Sequence, residues 1–584
     1  MNFSKFPTTG TRHRLLGLAI AQAIGGLYAP VTRAGSVNAG NRVTVGSASD
    51  LPGDILCSLR DAVAAVKTNS TVGGCSPSFT VGVDRIDFDP SITPGTITLQ
   101  NGPLIVDSSV TIQGPGQDQL TLRISGNDYV IRTSGNISLG LSNFTIAEGA
   151  LSCLRNDQDS TLALSSMMVR NCSGQNAGGI LNRGELQIDD STLTSNSALS
   201  GGGAIRNEPG GTVTLSNTIV REGYAPFGAG ISNSGLLNVN DSRFTMNVAG
   251  GGGGAISAEQ ASQTNIRNTE MSLNEATFGG ALYNRGAIDI EGGVIESNIA
   301  TEYGGGVDNY SIYGLTINGT TLRSNQARLA GGALYNRDAG FVTLSDVTVS
   351  GNTADIGSAF SSKAGVVQVL DSTITNHSIG LSTVLVEGAT QVTLANSLVE
   401  GNLSFAVIYA RNGGNLTLSN VTISNNRVFS NYNVVNVRSS ATIESSTITG
   451  NTSSSAGSAV GVSLGGALEL SNSIIAGHDT YDCVAGANST ITLNNNNIFQ
   501  TGNCVQNAVN NITTDPELGP LADNGGPTLT HALVPTSPAI NAGDSNCAPT
   551  DQRGFARDDG QCDIGAFEFG GTTPDQIFGD GFES

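Results

Sequence analysis

Between Met168 and His478 the chain repeats one phrase: an apolar residue, two further residues, then Asn. The last position reads Asn171, Asn196, Glu222, Asn247, Asn274, Asn298, Asn325, Asn352, His377, Asn402, Asn426, Asn451 and His478. The residue three before each is apolar, Met168, Leu193, Ile219 and Phe244 among them, and the residue six before is a turn former such as Asp190, Ser216, Asp241 or Asn472. A second phrase, Gly-Gly-Ala-aliphatic-x-Asn, ends at Asn207, Asn284 and Asn336, with looser copies ending at Asn182, Asn233 and Asn309 and Ala258 filling the missing step. Each step of this column is 25 to 27 residues. Between the phrases lie short alternating runs such as Val213-Thr214-Leu215 and Leu416-Thr417-Leu418, the pattern of half-buried strands. Gly, Ser, Asn and Asp interrupt every run, so no segment of the repeat can hold a helix.

Two or three short strands per repeat and no helix predict an all-β chain, with each repeat forming one coil of a right-handed parallel β-helix. Coils pair through backbone hydrogen bonds at about 4.8 Å spacing, so Ile97 to Ile498 holds about sixteen coils in a rod of about 75 Å. In such a stack equivalent residues lie above one another. Asn171, Asn196, Asn247, Asn274, Asn298, Asn325, Asn352, Asn402, Asn426 and Asn451 are therefore expected to form an amide ladder along the axis, as in cross-β assemblies. The ladder satisfies turn groups that would cost about 1–3 kcal/mol each if buried unpaired. His377 and His478 then substitute for Asn. Leucine-rich repeats would need a helix or 3₁₀ turn where this chain has Gly and Ser, and the Gly251–Gly254 run lacks the Asp of calcium-binding nonapeptides.

Composition narrows the function. The 584 residues carry a formal charge of −21 with only 13% charged residues, and 38% are hydrophobic. That is too apolar for a disordered chain. The acidic balance argues against nucleic acid and anionic membrane as partners. Residues 1–34 read as a signal peptide: Lys5, Arg12 and Arg14 precede an apolar run from Leu15 to Ala29, with cleavage after Ala34. No later stretch is long and apolar enough for a transmembrane helix. Export makes disulfides the default for the eight Cys. Of the 105 pairings that eight Cys allow, nearest neighbours give Cys57–Cys75, Cys153–Cys172, Cys483–Cys504 and Cys547–Cys562.

The ends carry resemblances. Cys57-Ser58-Leu59-Arg60-Asp61-Ala62-Val63 opens a helix and, with Gly74-Cys75 and Asp84-x-Ile86-x-Phe88-Asp89, resembles the CSLREA N-terminal domain, Asp61 standing where that family has Glu. The run Leu518-Gly519-Pro520-Leu521-Ala522-Asp523-Asn524-Gly525-Gly526-Pro527, followed by Asp551-Gln552-Arg553-Gly554 and Asp563-Ile564-Gly565-Ala566-Phe567-Glu568, is similar to the choice-of-anchor Q domain of bacterial surface and secreted proteins. The central repeats resemble those of polymorphic outer-membrane proteins. The tail after Glu568 is shorter than barrel strands require, so an autotransporter is not expected. The implied organisation is a signal peptide (1–34), a helical N-terminal cap (35–95), β-helix repeats (96–510), an irregular disulfide-stapled C-terminal cap (511–568) and a tail (569–584).

The chemistry on offer is sparse. A polysaccharide lyase needs a base and a cation, and a glycoside hydrolase needs paired carboxylates. Asp189-Asp190 is the acidic doublet within the coils, but Asp190 belongs to the turn column, and Asp558-Asp559 reads as a solvated cap loop. No catalytic residue, cofactor or metal is indicated; calcium would need neighbouring carboxylates, of which Asp346 and Asp371 are the adjacent pair in the turn column. Residues beside the inward Asn of the second phrase point outward. They place Tyr283, Arg285, Asp308, Tyr310, Tyr335 and Arg337 on one face of three successive coils, a set suited to binding glycans or cell-surface proteins, or to decorating a rod. The expected protein is a monomeric, secreted or outer-surface β-helix with a structural, adhesive or binding role; the alternative is a polysaccharide lyase or glycoside hydrolase.

Overall fold

The computed structural model describes residues 39–51, 55–338, 340–378, 380–504, 506–544, 547–557 and 560–573. The signal-peptide segment, Asp558-Asp559 and the tail from residue 574 lie outside the described residues. The rest is a parallel β-solenoid. One sheet runs its length with sixteen strands, from Gly95–Leu99 to Ile474–Ala476, one strand per coil. A second sheet supplies two strands per coil, and a third, narrower one flanks coils from Ser173–Gly174 to Gln326–Ala327.

The coil containing Asn284 and Asn298 shows how sequence makes the shape. The strand Leu282–Asn284 ends at an Asn whose side chain turns inward, and the strand Ala287–Glu291 follows with alternating buried Ile288 and Ile290. Gly292 and Gly293 then take left-handed backbone at the corner. The strand Val294–Glu296 buries Ile295, Ser297 is again left-handed, and Asn298 starts the return. The turn column is therefore a column of positive φ: Asp190, Asp241, Asn268, Gly319, Asp346, Asp371, Asn396 and Asn472 all occupy it. Short polar residues and Gly tolerate this region because their side chains avoid or offset its steric cost.

Two coils read differently from the sequence pattern. Met168 pairs with Thr192 and Val169 with Leu193, so Val169 points inward, and Cys172 stands opposite Asn196. Asn171 is consequently outside the ladder: it is exposed and left-handed, with φ of 55°. Likewise Val220 is buried while Ile219 faces solvent, Asn217 rather than Ser216 makes the corner, and Glu222 lies one place before the ladder. A three-residue strand buries its middle residue, and that rule overrides the phrase in both coils.

The interior polar residues stack. Nδ2 of Asn247 donates to Oδ1 of Asn274 at 2.9 Å, and the line continues through Asn298, Asn325 and Asn352. Asn352 meets Nε2 of His377 at 3.3 Å, and His377 Nδ1 meets Asn402 Oδ1 at 3.0 Å. Asn402, Asn426 and Asn451 complete the line. Each Oδ1 also accepts a main-chain N–H of the preceding coil, as Asn325 does from Asn298. His478 stands in place of an amide, its Nδ1 3.3 Å from the carbonyl of Asn451 and its Nε2 3.1 Å from that of Ile448, so the single N–H of the neutral ring serves one of the two. A second ladder joins Asn156, Asn182, Asn207 and Asn233, and resumes through Asn284, Asn309 and Asn336 after Ala258. A third, of hydroxyls, begins the sixteen-strand face: Ser242, Ser372, Ser397, Ser446 and Ser473 each accept a main-chain N–H from the coil before.

The ends are closed differently. At the N-terminus the helix α1 (Leu59–Thr68) packs Leu59, Ala62, Val63 and Val66 onto the first coils. Ser58 caps it, accepting from the N–H of Asp61. Arg60 reaches Asp50 and the carbonyls of Gly102 and Pro103, tying the helix to the stack. The C-terminal segment instead folds back along the flank of the sixteen-strand sheet. Thr422 bonds Gln552, Ser424 bonds His531, Thr447 accepts from the N–H of Ala566, and Asn472 pairs with Asp544. Disulfides join Cys57–Cys75, Cys153–Cys172, Cys483–Cys504 and Cys547–Cys562. Among the described residues no helix is long and apolar enough to cross a membrane.

Candidate functional site

The flank where the third sheet meets the Gly-Gly-Ala strands is the most chemically distinctive part of the rod. Register along the third sheet aligns Phe227, Gly252, Phe278 and Tyr303 on successive coils, with Ala330 next. These rings lean over the outward residues of the neighbouring strands. Tyr283 lies 6.3 Å from both Phe227 and Phe278, and Tyr303 stacks on Tyr335 at 4.7 Å. Gly252 is the vacancy that admits Tyr283: a Cβ there would lie 2.6 Å from the tyrosine ring. Part of the glycine run at 251–254 thus exists to seat an aromatic residue.

This geometry alters the expected outward patch. Tyr283, Asp308 and Tyr335 occupy equivalent central strand positions, but all three are buried beneath the overlapping rings rather than displayed to solvent. Arg337 binds Asp308 with two nitrogens, one bond measuring 3.0 Å, and its guanidinium faces the rings of Phe278, Tyr303, Tyr310 and Tyr335. Arg285 pairs with Glu259 at 3.4 Å. Tyr310 is the member of the six most open to solvent, 45% exposed, and Ile312, Tyr313 and Phe341 on the adjoining turn and strand are exposed as well. Burial raises the hydroxyl pKa of both Tyr283 and Tyr335. At the N-terminal end of the third sheet, Leu151, Ala198, Leu199 and Tyr224 line a depression of about 580 Å³.

The position after the inward residue continues beyond the three coils picked out by the Asn phrase. It reads Arg285, Tyr310, Arg337, Lys363, Glu387, Arg411 and Arg438 as the inward residue changes from Asn to Ser362, Val386, Ala410 and Val437. Lys363 and Arg411 share Glu387 at 3.5 and 2.8 Å. Burial opposes the charge on Lys363, but Tyr335 and Glu387 outweigh it and raise the lysine's pKa. A second aromatic group, Phe405, Tyr409, Phe429 and Tyr432, surrounds this stretch. Sequence reasoning missed Phe227, Phe278, Tyr303, Lys363, Arg411 and Arg438. The available signal was the coil period itself, carried past the point where Asn disappears.

No family profile and no curated protein matches the chain. Solved structures do resemble it. The A-module of the mannuronan C-5 epimerase AlgE6 of Azotobacter vinelandii is 14% identical, with 70% of this chain and 89% of that one covered at a TM-score of 0.25. The pectate lyase Pel9A is 13% identical, with 91% and 96% covered at 0.20. The catalytic unit of a GH87 α-1,3-glucanase from Streptomyces thermodiastaticus is 16% identical, with 59% of each chain covered at 0.22. At such scores none of the three bears on what this chain binds.

Other polar chemistry is committed to structure. Both carboxylate oxygens of Asp308 are held by Arg337, and among the described residues no three His, Cys, Asp or Glu side chains are grouped so as to hold a metal ion. Asp190, Asp346 and Asp371 occupy left-handed corners. His377 is buried in the ladder, and loss of solvent depresses its pKa to about 4. In the C-terminal segment, Arg553 lies between the rings of Phe555 and Phe567 and pairs with Asp551, while Arg557 pairs with Glu568. Burial, opposed by the N–H of Asp563 but reinforced by its charge, pushes Glu568 up to about 7.

Proposed function

We propose that this chain is a secreted or cell-surface rod that binds an extended glycan along its aromatic flank. The observation that carries the reading is the axial line of Phe278, Tyr303 and Tyr310 interleaved with the Arg337 guanidinium. Flat rings offer apolar faces to sugars, and planar guanidinium groups hydrogen-bond hydroxyls and acids in the same plane. Coils about 4.8 Å apart repeat these groups along the axis, which suits a polymer lying parallel to the rod. The disulfides fit an extracellular setting. The choice-of-anchor Q-like segment belongs with surface attachment, and the rod acts as a monomer.

Binding is favoured over cleavage because Asp308, the buried carboxylate beneath the rings, already has both oxygens occupied by Arg337. The test is a panel of neutral and uronic-acid oligosaccharides, measured by calorimetry for binding and by reducing ends and ultraviolet absorbance for cleavage. Tyr310→Ala should weaken binding without generating product. Turnover by the wild type would move the chain to the lyase or hydrolase alternative. Absence of any glycan binding alongside capture of a cell-surface protein would make it a protein-binding adhesin.

A further inference from the structure

The basic residues along the flank are not equivalent. Arg285 has Glu259, Arg337 has Asp308, and Lys363 and Arg411 divide Glu387. Arg438, one coil beyond Arg411, forms no ion pair among the described residues, and its Nε is buried without a hydrogen-bond partner. The next residue in the column is Ser463, which brings no acid. The guanidinium is held in place by rings rather than by charge, with Tyr409 at 5.4 Å and Tyr432 at 5.9 Å. Tyr409 is itself fixed, buried and packed edge-on against Tyr432. Four consecutive positions therefore set Lys363, Arg411 and Arg438 against Glu387 alone, a local excess of cation in a chain whose formal charge is −21.

The two terminal nitrogens of Arg438, unlike its Nε, are not buried and take no partner from the described residues; a guanidinium so oriented is built for a planar anion, since a carboxylate or sulfate can take the N–H groups of both terminal nitrogens at once. From this geometry we infer that Arg438, braced by Tyr409 and Tyr432, is a subsite for an acidic group of the glycan, which makes the ligand class an anionic polysaccharide carrying carboxylates or sulfates. The inference rests on the glycan-binding reading and adds a second contact, four coils from Arg337 and about 19 Å along the axis.

Two measurements test it on the intact chain. In the first, wild type, Arg438→Gln and Arg438→Lys are titrated with an oligogalacturonate, a heparin-derived oligosaccharide and a neutral dextran oligomer. Arg438→Gln should bind the better acidic oligomer at least about 10-fold more weakly and with a shallower salt dependence. Dextran binding should be unchanged, and Arg438→Lys should fall between. Equal affinity of Arg438→Gln and wild type for both acidic oligomers would overturn the inference. In the second, phenylglyoxal labelling of Arg438 in the wild type is followed by mass spectrometry. Protection by an acidic oligomer but not by dextran supports the subsite; unchanged labelling, or protection by inorganic sulfate with none from either oligomer, overturns it. Loss of binding on Tyr310→Ala but not on Arg438→Gln would keep the aromatic-flank reading and remove this one. Protection of Arg438 with no effect of Tyr310→Ala would do the reverse.

Discussion

Arg337 and Arg438 occupy the same column, four coils apart, and both lie against tyrosine rings, yet one is paired with an acid and the other is not. Around Arg337 the preceding coil supplies a buried carboxylate, Asp308, and the third sheet supplies a lid of rings. Around Arg438 the third sheet has ended, the corresponding positions carry Tyr409 and Asn436, and the terminal nitrogens of the guanidinium take no partner from the described residues. The main sheets repeat their backbone geometry, so the difference comes from side chains at equivalent sites and from the end of the third sheet. The same scaffold answers one arginine's charge with a buried acid and leaves the other's to a ligand.

The strongest way to break this comparison is to make Arg337 resemble Arg438. Asp308→Ala strands a mostly buried charge and should destabilise the rod by about 3–5 kcal/mol, read from urea midpoints. Much of that should return in the double variant Asp308→Ala with Arg337→Leu. A smaller effect separates the two regions through the ladder that joins them. His377, between the two clusters, is neutral when folded, with a pKa near 4 against about 6.5 unfolded. Its contribution is complete above pH 6.5 and is lost as pH falls through that window, worth at most about 3 kcal/mol. His377→Asn should flatten stability between pH 4 and 6.5. The C-terminal segment has the opposite sign: Glu568, raised to about 7, loosens it as pH rises from the ordinary carboxylate range. Asn325→Ala, which leaves the N–H of Asn298 and the carbonyl of Ile295 unpaired, should cost about 1–3 kcal/mol. The smallest effect sharpens the contrast: Arg438→Gln strands no ion partner and loses only ring contacts, so it should cost about 0.5–1 kcal/mol while still weakening the acidic ligand.

The solenoid was legible because stacking places like residues over like, so the chemistry of one coil is printed again in the next. Asn247 to Asn352 and the left-handed corners announce themselves in this way. Asn171 misled because Met168 and Val169 are both apolar, and the phrase fits either register. The aromatic lid was hidden because its column reads Phe, Gly, Phe, Tyr, Ala, a sequence with shape complementarity but no repeated type. The docking of Thr528, Gln552 and Ala566 on the rod's flank was equally hidden, since it joins residues over a hundred positions apart by contacts that occur once. Motif residues Asp551, Arg553, Asp563 and Glu568, conspicuous in the sequence, prove to be the buried ionic core of that segment.

The placement of the disulfides has a mechanical consequence. None lies between Cys172 and Cys483. A rod fixed at one end and tugged at the other would hold at its knotted extremities and fray in between. Each repeat of 25 to 27 residues that peels away would lengthen the tether by about 80–90 Å. Such a molecule yields in steps under load and keeps its two terminal grips.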